Sequence, residues 1–403
     1  MTNTRTESAS FAPVGTGSHP TPLTARVLGA FNEQYHALPV LAVLALIWLY
    51  FYSQNPAYLS SQNITNLALQ IVTTAILALG IVFVLLVGEI DLSSAMLSGV
   101  CATVVANLAV TYGWSLYPAL AVGAVVGMVA MAVQGLIVVF GVPSLIVTLG
   151  GMVVFQGLLL VVLPPEFTVS VGGTDYAEIA RAHISPSLSF LLAFLGWAGY
   201  AISRLSRSSG TGGSASWRNA LVAIVVCGIA VFAPVAVLSR DDGLPVPVLV
   251  LVVLLVVASY LTTQTRYGVH LYAVGGNREA AQRAGIPVSR MVLYSFVILG
   301  LCAVVAGVID AARLLSVSNS SGGGPLMLNA IAAAVVGGTS LFGGRGSVWS
   351  ALIGALVIGS INNGVQLLGF SPEVQNFATG GVLIVAVAMD VVITRGSLWP
   401  RRS

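Results

Sequence analysis

Long uninterrupted apolar runs are the feature that most restricts how this chain can fold. A helix needs roughly 20 apolar residues to cross the hydrocarbon core of a membrane. Only 7% of the residues are charged, against about 25% in an average soluble domain, so a soluble globule would expose large apolar patches. The apolar runs lie at 37–53, 65–87, 94–112, 116–140, 144–163, 186–203, 219–238, 246–263, 290–312, 327–341, 349–368 and 374–394. The sequence therefore predicts an all-α polytopic membrane protein with about 12 transmembrane helices.

One of these runs, 327–341, is short and flanked by glycines. A helix that stops inside the membrane is tolerated only where its ends are buried in protein or line a cavity. We therefore expect a broken or re-entrant helix in this region.

The positions of the arginines predict the orientation of the chain, because short cytoplasmic loops collect positive charge. The clusters are Arg5 and Arg26; Arg204, Arg207 and Arg218; Arg266, Arg278, Arg283 and Arg290; and Arg395, Arg401 and Arg402. Twelve spans with both termini inside put all four clusters in the cytoplasm. The predicted organisation is a disordered cytoplasmic tail at 1–35, a transmembrane domain at 36–396 and a short cytoplasmic tail at 397–403.

Composition excludes several chemistries. The sequence contains no lysine, so it cannot carry the phosphate-binding loop of nucleotide hydrolases, which needs a lysine. Its three cysteines, Cys101, Cys227 and Cys302, lie in separate apolar runs, which predicts neither a disulfide framework nor a metal site. A net charge of +3 is no signal for nucleic acid, since nucleic-acid binders concentrate basic residues on one face.

A polar break at 88–93, with the sequence Gly-Glu-Ile-Asp-Leu-Ser, separates two apolar runs. Carboxylates are costly when they face lipid. One interpretation is that Asp91 and Ser93 cap the helix that starts near Ser94. The other, compatible with it, is that the break lines a polar pathway, as discontinuous helices do in transporters.

The loop at 268–290 carries the signals of a short amphipathic helix at 277–285. Asn277 is a suitable N-cap, Glu279 and Arg283 form an i,i+4 ion pair, and Gly285 is a suitable terminator. A helix this short is marginal in water. It is either a solvated loop helix or a docking element for a cytoplasmic partner.

Uncharged polar residues in the C-terminal part complete the predicted site. Asn329, Thr339 and Ser340 lie in a glycine-rich region, and Asn362 and Asn363 lie on an otherwise apolar helix. Neutral amides and hydroxyls suit a sugar pathway, but they also make hydrogen bonds between membrane helices. The four histidines, His19, His36, His183 and His270, lie in tails or loops, which disfavours a proton-driven carrier.

Three sequence motifs together resemble a known family. Glu279, Ala280 and Ala281, followed after three residues by Gly285, resemble the loop with which ABC importer permeases bind their ATPase subunits. The sequence at 272–286 resembles the ribose/xylose/galactose branch of that family, and so do the motif at 88–93 and the motif formed by 336–341 together with 343–347. Within the branch the chain is most similar to the D-xylose permeases, both in Glu89 and in an extra segment around 186–245, which adds an inserted pair to the usual ten helices.

This resemblance implies the membrane-spanning permease subunit of a binding-protein-dependent ABC importer for a monosaccharide, D-xylose being the expected sugar. The chain would hydrolyse nothing and bind no cofactor, because ATP and Mg are used by the partner ATPase. Its expected partners are the ABC ATPase subunit, an extracytoplasmic sugar-binding protein and a second permease copy. The expected location is the bacterial cytoplasmic (inner) membrane.

The residues fall into two predicted groups, with no catalytic and no metal residue. The ATPase-coupling group is Asn277, Arg278, Glu279, Ala280, Ala281, Arg283 and Gly285. The translocation-pathway group is Glu89, Asp91, Ser93, Asn329, Thr339, Ser340, Asn362 and Asn363. The alternatives are a secondary, ion-coupled sugar carrier, or a membrane-embedded enzyme.

Overall fold

The computed structural model describes residues 37–209, 214–240 and 243–395. The predicted tails at 1–35 and 397–403 lie outside these described residues. Within them, nine helices are long and apolar enough to cross a membrane, and two further apolar helices are shorter. The fold is the predicted all-α polytopic one.

Fifteen α-helices make up most of the described part of the chain. They are α1 Ala37–Gln54, α2 Ser61–Leu86, α3 Ser94–Ala106, α4 Leu116–Val139, α5 Ser144–Val162, α6 Asp175–Arg181, α7 Pro186–Ser209, α8 Ser214–Leu238, α9 Val246–Gln264, α10 Arg266–Gly276, α11 Arg278–Arg283, α12 Val288–Leu314, α13 Gly324–Val336, α14 Trp349–Leu367 and α15 Pro372–Arg395. Each of the twelve predicted apolar segments coincides with one of them. The other three, α6, α10 and α11, are shorter connecting helices.

Helix α2 is the central helix of the molecule. It begins at the N-cap Ser60, whose hydroxyl accepts a hydrogen bond from the Asn63 amide at 3.3 Å. From Leu67 onward it is buried along nearly its whole length, because α9, α12, α13 and α14 pack around it. It ends at Leu86 with Val87 as its C-cap, and Gly88 follows with a φ of +86°.

Two small antiparallel ribbons lie at one end of the bundle. Strand β1, Thr168–Ser170, pairs with β4, Ser316–Ser318; strand β2, His183–Ile184, pairs with β3, Leu244–Pro245. Helix α9 connects β3 to α10, and α12 connects the α11 region to β4. Both ribbons therefore lie at the end of the bundle opposite α10 and α11.

Helices α7 and α8 form a peripheral hairpin that packs mainly on itself. The Trp197 indole donates a hydrogen bond to the Ile224 carbonyl at 3.0 Å and so joins the two helices. Strands β2 and β3 bring the two chain ends of this hairpin together. The hairpin corresponds to the extra segment predicted around 186–245.

Helix α13 corrects one predicted boundary. It spans 13 residues and stops at Val336, whereas the sequence predicts the segment to continue to 341. Gly338 adopts a φ of +105°, and the amides of Gly338 and Thr339 bond back to the carbonyls of Val335 and Ala334, which is a Schellman end. At about 1.5 Å per residue the helix is about 20 Å long, shorter than the roughly 30 Å hydrocarbon core, as a broken or re-entrant helix is.

Candidate functional site

Helix α11 has the caps that the sequence predicts. The Asn277 side chain accepts a hydrogen bond from the Ala280 amide at 2.9 Å. Gly285, with a φ of +79°, ends the helix, and the amides of Gly285 and Ile286 bond to the carbonyls of Gln282 and Ala281. The helix is not isolated, because α10 ends at the residue just before its N-cap.

The exposed face of α11 is polar, and its buried face carries a small side chain. Glu279 and Arg283 form the predicted ion pair at 3.2 Å, and both side chains are 82% exposed. Ala280 is exposed and Ala281 is buried against the rest of the molecule. The Glu279 and Arg283 side chains are therefore accessible on the surface of the described part of the chain.

An ion pair joins α11 to the break that follows α2. Nη1 of Arg278 lies 2.7 Å from Oε1 of Glu89. The Glu89 carboxylate is buried, while the Arg278 side chain remains half exposed. Residues 89 and 278 belong to the two separate groups that the sequence predicts, and the structure brings them together.

Asp91 and Ser93 organise the start of α3. Oδ2 of Asp91 accepts hydrogen bonds from the Ser93 and Ser94 amides at 3.2 and 2.9 Å, which is the capping role predicted for Asp91. Ser93 occupies the N-cap position, but its side chain makes no capping hydrogen bond. Oδ1 of Asp91 accepts from the Ser93 hydroxyl at 2.7 Å, and that hydroxyl also contacts Oε1 of Gln134 in α4 at 3.0 Å. Asp91 and Ser93 are 1% and 0% exposed, so the network is sealed from solvent in this conformation.

Two residues that the sequence analysis did not single out hold the middle of the break. The Ser144 hydroxyl accepts a hydrogen bond from the Ile90 amide at 3.2 Å. The Thr148 hydroxyl lies 3.3 Å from the Ile90 carbonyl and 2.9 Å from the Ser144 carbonyl. Helix α5 therefore fixes the backbone between Glu89 and Asp91.

Glycines from three segments meet beside the Glu89–Arg278 pair. We call Gly88, Gly275 and Gly344 the glycine junction. The Gly344 amide donates to the Leu86 carbonyl at 3.1 Å. A Cβ on Gly275 would collide with the Leu86 carbonyl oxygen and the Gly344 nitrogen. The three backbones are therefore in direct contact, just before α11 begins.

Tyr272 of α10 joins the segment before α11 to the loop that carries Gly344. Its hydroxyl donates a hydrogen bond to the Gly346 carbonyl at 3.0 Å. Burial raises the pKa of the Tyr272 hydroxyl above its ordinary value, so the hydroxyl keeps the proton that it donates.

The remaining predicted pathway residues lie in different places. Asn363 exchanges two amide hydrogen bonds with Asn63, at 2.8 and 3.2 Å, and Oδ1 of Asn362 accepts from Thr379 at 3.3 Å. These contacts are hydrogen bonds between helices, the alternative to a sugar pathway that the sequence left open. They lie at the start of α2, the end away from Gly88.

Thr339 and Ser340 follow the end of α13 and are buried. The Ser340 amide donates to the Arg345 carbonyl at 3.0 Å, so both residues belong to the loop that carries Gly344. Asn329 stands apart, half-buried in the middle of α13. The predicted pathway residues thus form one group near α11 and another near Asn63, rather than a single cluster.

Polar residues missed by the sequence analysis also lie around Asn63. The Tyr58 hydroxyl donates to the Ser360 carbonyl at 3.0 Å, and the Trp48 indole donates to the Ser360 hydroxyl at 2.9 Å. Trp48 and Ser360 lie inside apolar runs and Tyr58 lies between two of them, and these positions give no signal of the convergence. Across the described ranges, no three His, Cys, Asp or Glu side chains converge in a way that could hold a metal ion.

Comparison with known proteins gives consistent matches along the chain. Residues 63–387 match the family model described as "Branched-chain amino acid transport system / permease component". The chain is 37% identical to the xylose transport system permease protein XylH of Escherichia coli (strain K12), over 92% of this chain and 95% of that protein. It is 35% identical to XylH of Haemophilus influenzae, over 90% of this chain and 97% of that protein. It is 31% identical to the ribose import permease protein RbsC of E. coli (strain K12), over 89% and 93%. No solved structure gives a significant match.

Proposed function

This chain belongs to the transport-system permease family, in the branch of ABC sugar permeases that includes the xylose permeases, and we propose that it carries D-xylose through the inner membrane at the expense of ATP hydrolysed by a partner. As the permease subunit it forms the translocation pathway and hydrolyses nothing itself. Two copies pair, each seats one ATPase domain, and an extracytoplasmic binding protein delivers the sugar.

The observation that carries this proposal is the Glu89–Arg278 ion pair. Helix α11 is an exposed, capped element whose first residue is bonded to the break between two spanning helices. A displacement of α11 therefore pulls directly on the start of α3. A solvated loop helix without a partner needs no such connection.

The Asp91 network gives that displacement a route into the bundle. Ser93 bonds to Gln134 of α4, and Ile90 is held by Ser144 of α5. Motion at Glu89 thus reaches three helices through hydrogen bonds. We infer that Asp91, Ser93, Thr339 and Ser340 line the gate nearest the ATPase.

The second group of predicted residues belongs to the other end of the pathway. Asn63 and Asn363 bond to each other, and Asn362 accepts a bond from Thr379; amides both donate and accept, so these bonds can be exchanged for bonds to a sugar. Along the pathway that we propose, Asn329 of α13 lies between these two groups of residues. The proposed orientation in the membrane places α11 and both chain termini on the cytoplasmic side. The two ribbons then face the binding protein.

The assignment of the sugar comes from the relatives. The proteins with 37% and 35% identity are both named as xylose permeases, while the ribose permease is at 31%. A pentose is neutral, so the predominantly neutral polar residues of the predicted pathway match it in charge.

The proposal is tested by purifying this chain from native membranes and by measuring sugar uptake in proteoliposomes. The wild type should retain an ATPase subunit, and Glu279→Ala should retain less. Glu279 is 82% exposed, so its replacement leaves the fold intact. The matched control is Glu166→Ala, another exposed glutamate at the opposite end, which should retain the ATPase fully.

Uptake distinguishes the importer from the ion-coupled carrier. With binding protein and ATPase present, uptake of D-xylose should require ATP on the side of the membrane where the ATPase binds. Uptake should continue when an uncoupler is added. Uptake that continues without ATP and stops with an uncoupler would refute the proposal.

A further inference from the structure

A cavity lined in part by serine and aspartate side chains lies between the end of α12 and the start of α13, beside strand β4. Its volume is about 210 Å³. The polar residues that line it are Asp310, Ser316, Ser318, Ser320 and Ser321. Leu314, Pro325 and Leu326 form its apolar wall. In a chain with so few charged residues, one carboxylate and four hydroxyls around one cavity form an unusual concentration of hydrogen-bonding groups.

The hydroxyl groups face one another across short distances. The Ser318 and Ser320 hydroxyl oxygens lie 2.9 Å apart, and the Ser321 hydroxyl accepts from the Ser318 amide at 3.0 Å. Asp310 is held by Arg313, whose Nη2 lies 3.2 Å from its Oδ1. The carboxylate thus keeps its second oxygen for another donor.

The backbone around the cavity is held in place on two sides. Strand β4 pairs with β1 along its whole length. Gly322, with a φ of +70°, lies against the Ala95 carbonyl, and Ser321 lies against Gly99. Ala95 and Gly99 belong to α3, whose first residue is capped by Asp91. The floor of the cavity is therefore attached to the helix that begins at the α11-linked break.

These features match a small polyhydroxylated ligand. Serine hydroxyls both donate and accept hydrogen bonds, as sugar hydroxyls do, and a carboxylate accepts two. Pockets for drug-sized ligands have volumes of roughly 300–1,000 Å³, so a slightly smaller cavity suits a monosaccharide. We propose that this cavity is a transient binding site for a neutral monosaccharide at the mouth of the pathway, an inference that rests on the proposed function.

A labelling experiment on the isolated permease tests binding directly. Ser320 lines the cavity and is exposed, so Ser320→Cys, made with Cys227→Ser, is labelled by N-ethylmaleimide. Titration with D-xylose should slow the labelling at least twofold. The control is Ser170→Cys in the same background: Ser170 is exposed and pairs with Ser316 in the ribbon, but does not line the cavity. Its labelling rate should not change.

An uptake experiment on the assembled transporter tests the role of the site. Ser318→Ala should lower maximal uptake about two- to tenfold, the effect expected when one hydrogen bond to the ligand is lost. ATPase co-purification should stay at the wild-type level, which separates a lost contact from misfolding. Asp310→Asn keeps the shape of the side chain and should change the ratio of D-xylose to D-ribose uptake. Ser170→Ala should transport as the wild type does.

The outcomes separate this proposal from the preceding one. Wild-type protein that shows no ATP-dependent uptake refutes the importer function. Normal ATP-dependent uptake by Ser318→Ala and Asp310→Asn, together with labelling of Ser320→Cys that sugar does not slow, refutes the sugar site in the cavity but leaves the importer function standing. Protection by sugar-free binding protein, with no effect of sugar, also overturns the proposal, because the cavity would then receive a protein segment.

Discussion

At the scale of single residues, Glu89 and Arg278 form an ion pair across 189 positions of sequence. Their exposures differ: the Glu89 side chain is 9% exposed and that of Arg278 is 51% exposed. Removing the arginine leaves a buried carboxylate without a partner, whereas removing the glutamate leaves a cation that water can solvate. The two partners therefore contribute unequally to stability.

We expect Arg278→Ala to lower the thermal stability of the purified protein more than Glu89→Gln does. An unpaired buried group costs about 1–3 kcal/mol, and the double variant should regain part of that loss because the effects of contacting residues are not additive. Differential scanning fluorimetry of the three variants measures the order. Equal effects of the two single variants would contradict the assigned burial.

The glycine junction makes a second prediction at this scale. Gly275→Ala should destabilise the protein by about 1–3 kcal/mol or prevent its folding, because the new methyl group meets backbone atoms of Leu86 and Gly344 that cannot move independently. Gly276→Ala is the matched control: its Cβ meets no atom, and alanine in a helix is favoured over glycine by about 1 kcal/mol. Yield and melting temperature of the two variants give the comparison.

The sequence predicts those residue contacts that are local in the chain. The Asn277 cap, the Glu279–Arg283 pair and the Gly285 terminator each span a few positions, so helix geometry alone implies them. The Glu89–Arg278 pair and the Asn63–Asn363 pair join distant segments, and nothing in the local sequence specifies such distances. Gln134, Ser144 and Thr148 are single polar residues in apolar runs, a pattern that does not identify their partners.

At the scale of elements, α11 is six residues long and largely exposed, so it depends on its caps. Asn277→Ala removes the side-chain oxygen that accepts from the Ala280 amide, a loss of about 1 kcal/mol of helix stability. We expect weaker ATPase retention with an unchanged melting temperature of the whole protein. Asn277→Ser restores a capping oxygen and should restore binding. Full retention by Asn277→Ala would show that a preformed α11 is not needed for docking.

The spanning helices are predictable as elements because each is marked by a continuous apolar run of the required length. The end of α13 is not. The apolar run passes through Val335 and Val336 and resumes at Leu341, and only the positive φ of Gly338 separates a continuing helix from a Schellman end. The short helices α6 and α10 lack long apolar runs, and the Thr265 cap of α10 does not by itself distinguish a helix from a loop, so the sequence does not predict these two helices.

At the scale of the whole molecule, the α7–α8 hairpin is joined to the bundle through its base. His183 pairs with Pro245 and Ile184 with Leu244, so the chain on either side of the hairpin is already in register. A variant in which Asn-Gly replaces residues 185–243 should therefore fold, because a two-residue turn between the paired residues Ile184 and Leu244 closes such a ribbon. Gel filtration and ATP-dependent uptake of this variant, compared with the wild type, measure the result. Aggregation of the variant would show that the contacts of α8 with α2 are required for folding.

The glycine junction also has a mechanical consequence. Where side chains separate two moving parts, rotamer changes absorb part of any displacement. At Gly88, Gly275 and Gly344 the backbones touch without side chains between them. Very little of a displacement is therefore absorbed at the glycine junction. In the proposed function, a displacement of α11 would therefore reach the start of α3 with nearly its full amplitude, so that a small movement of α11 would suffice to move a gate inside the membrane.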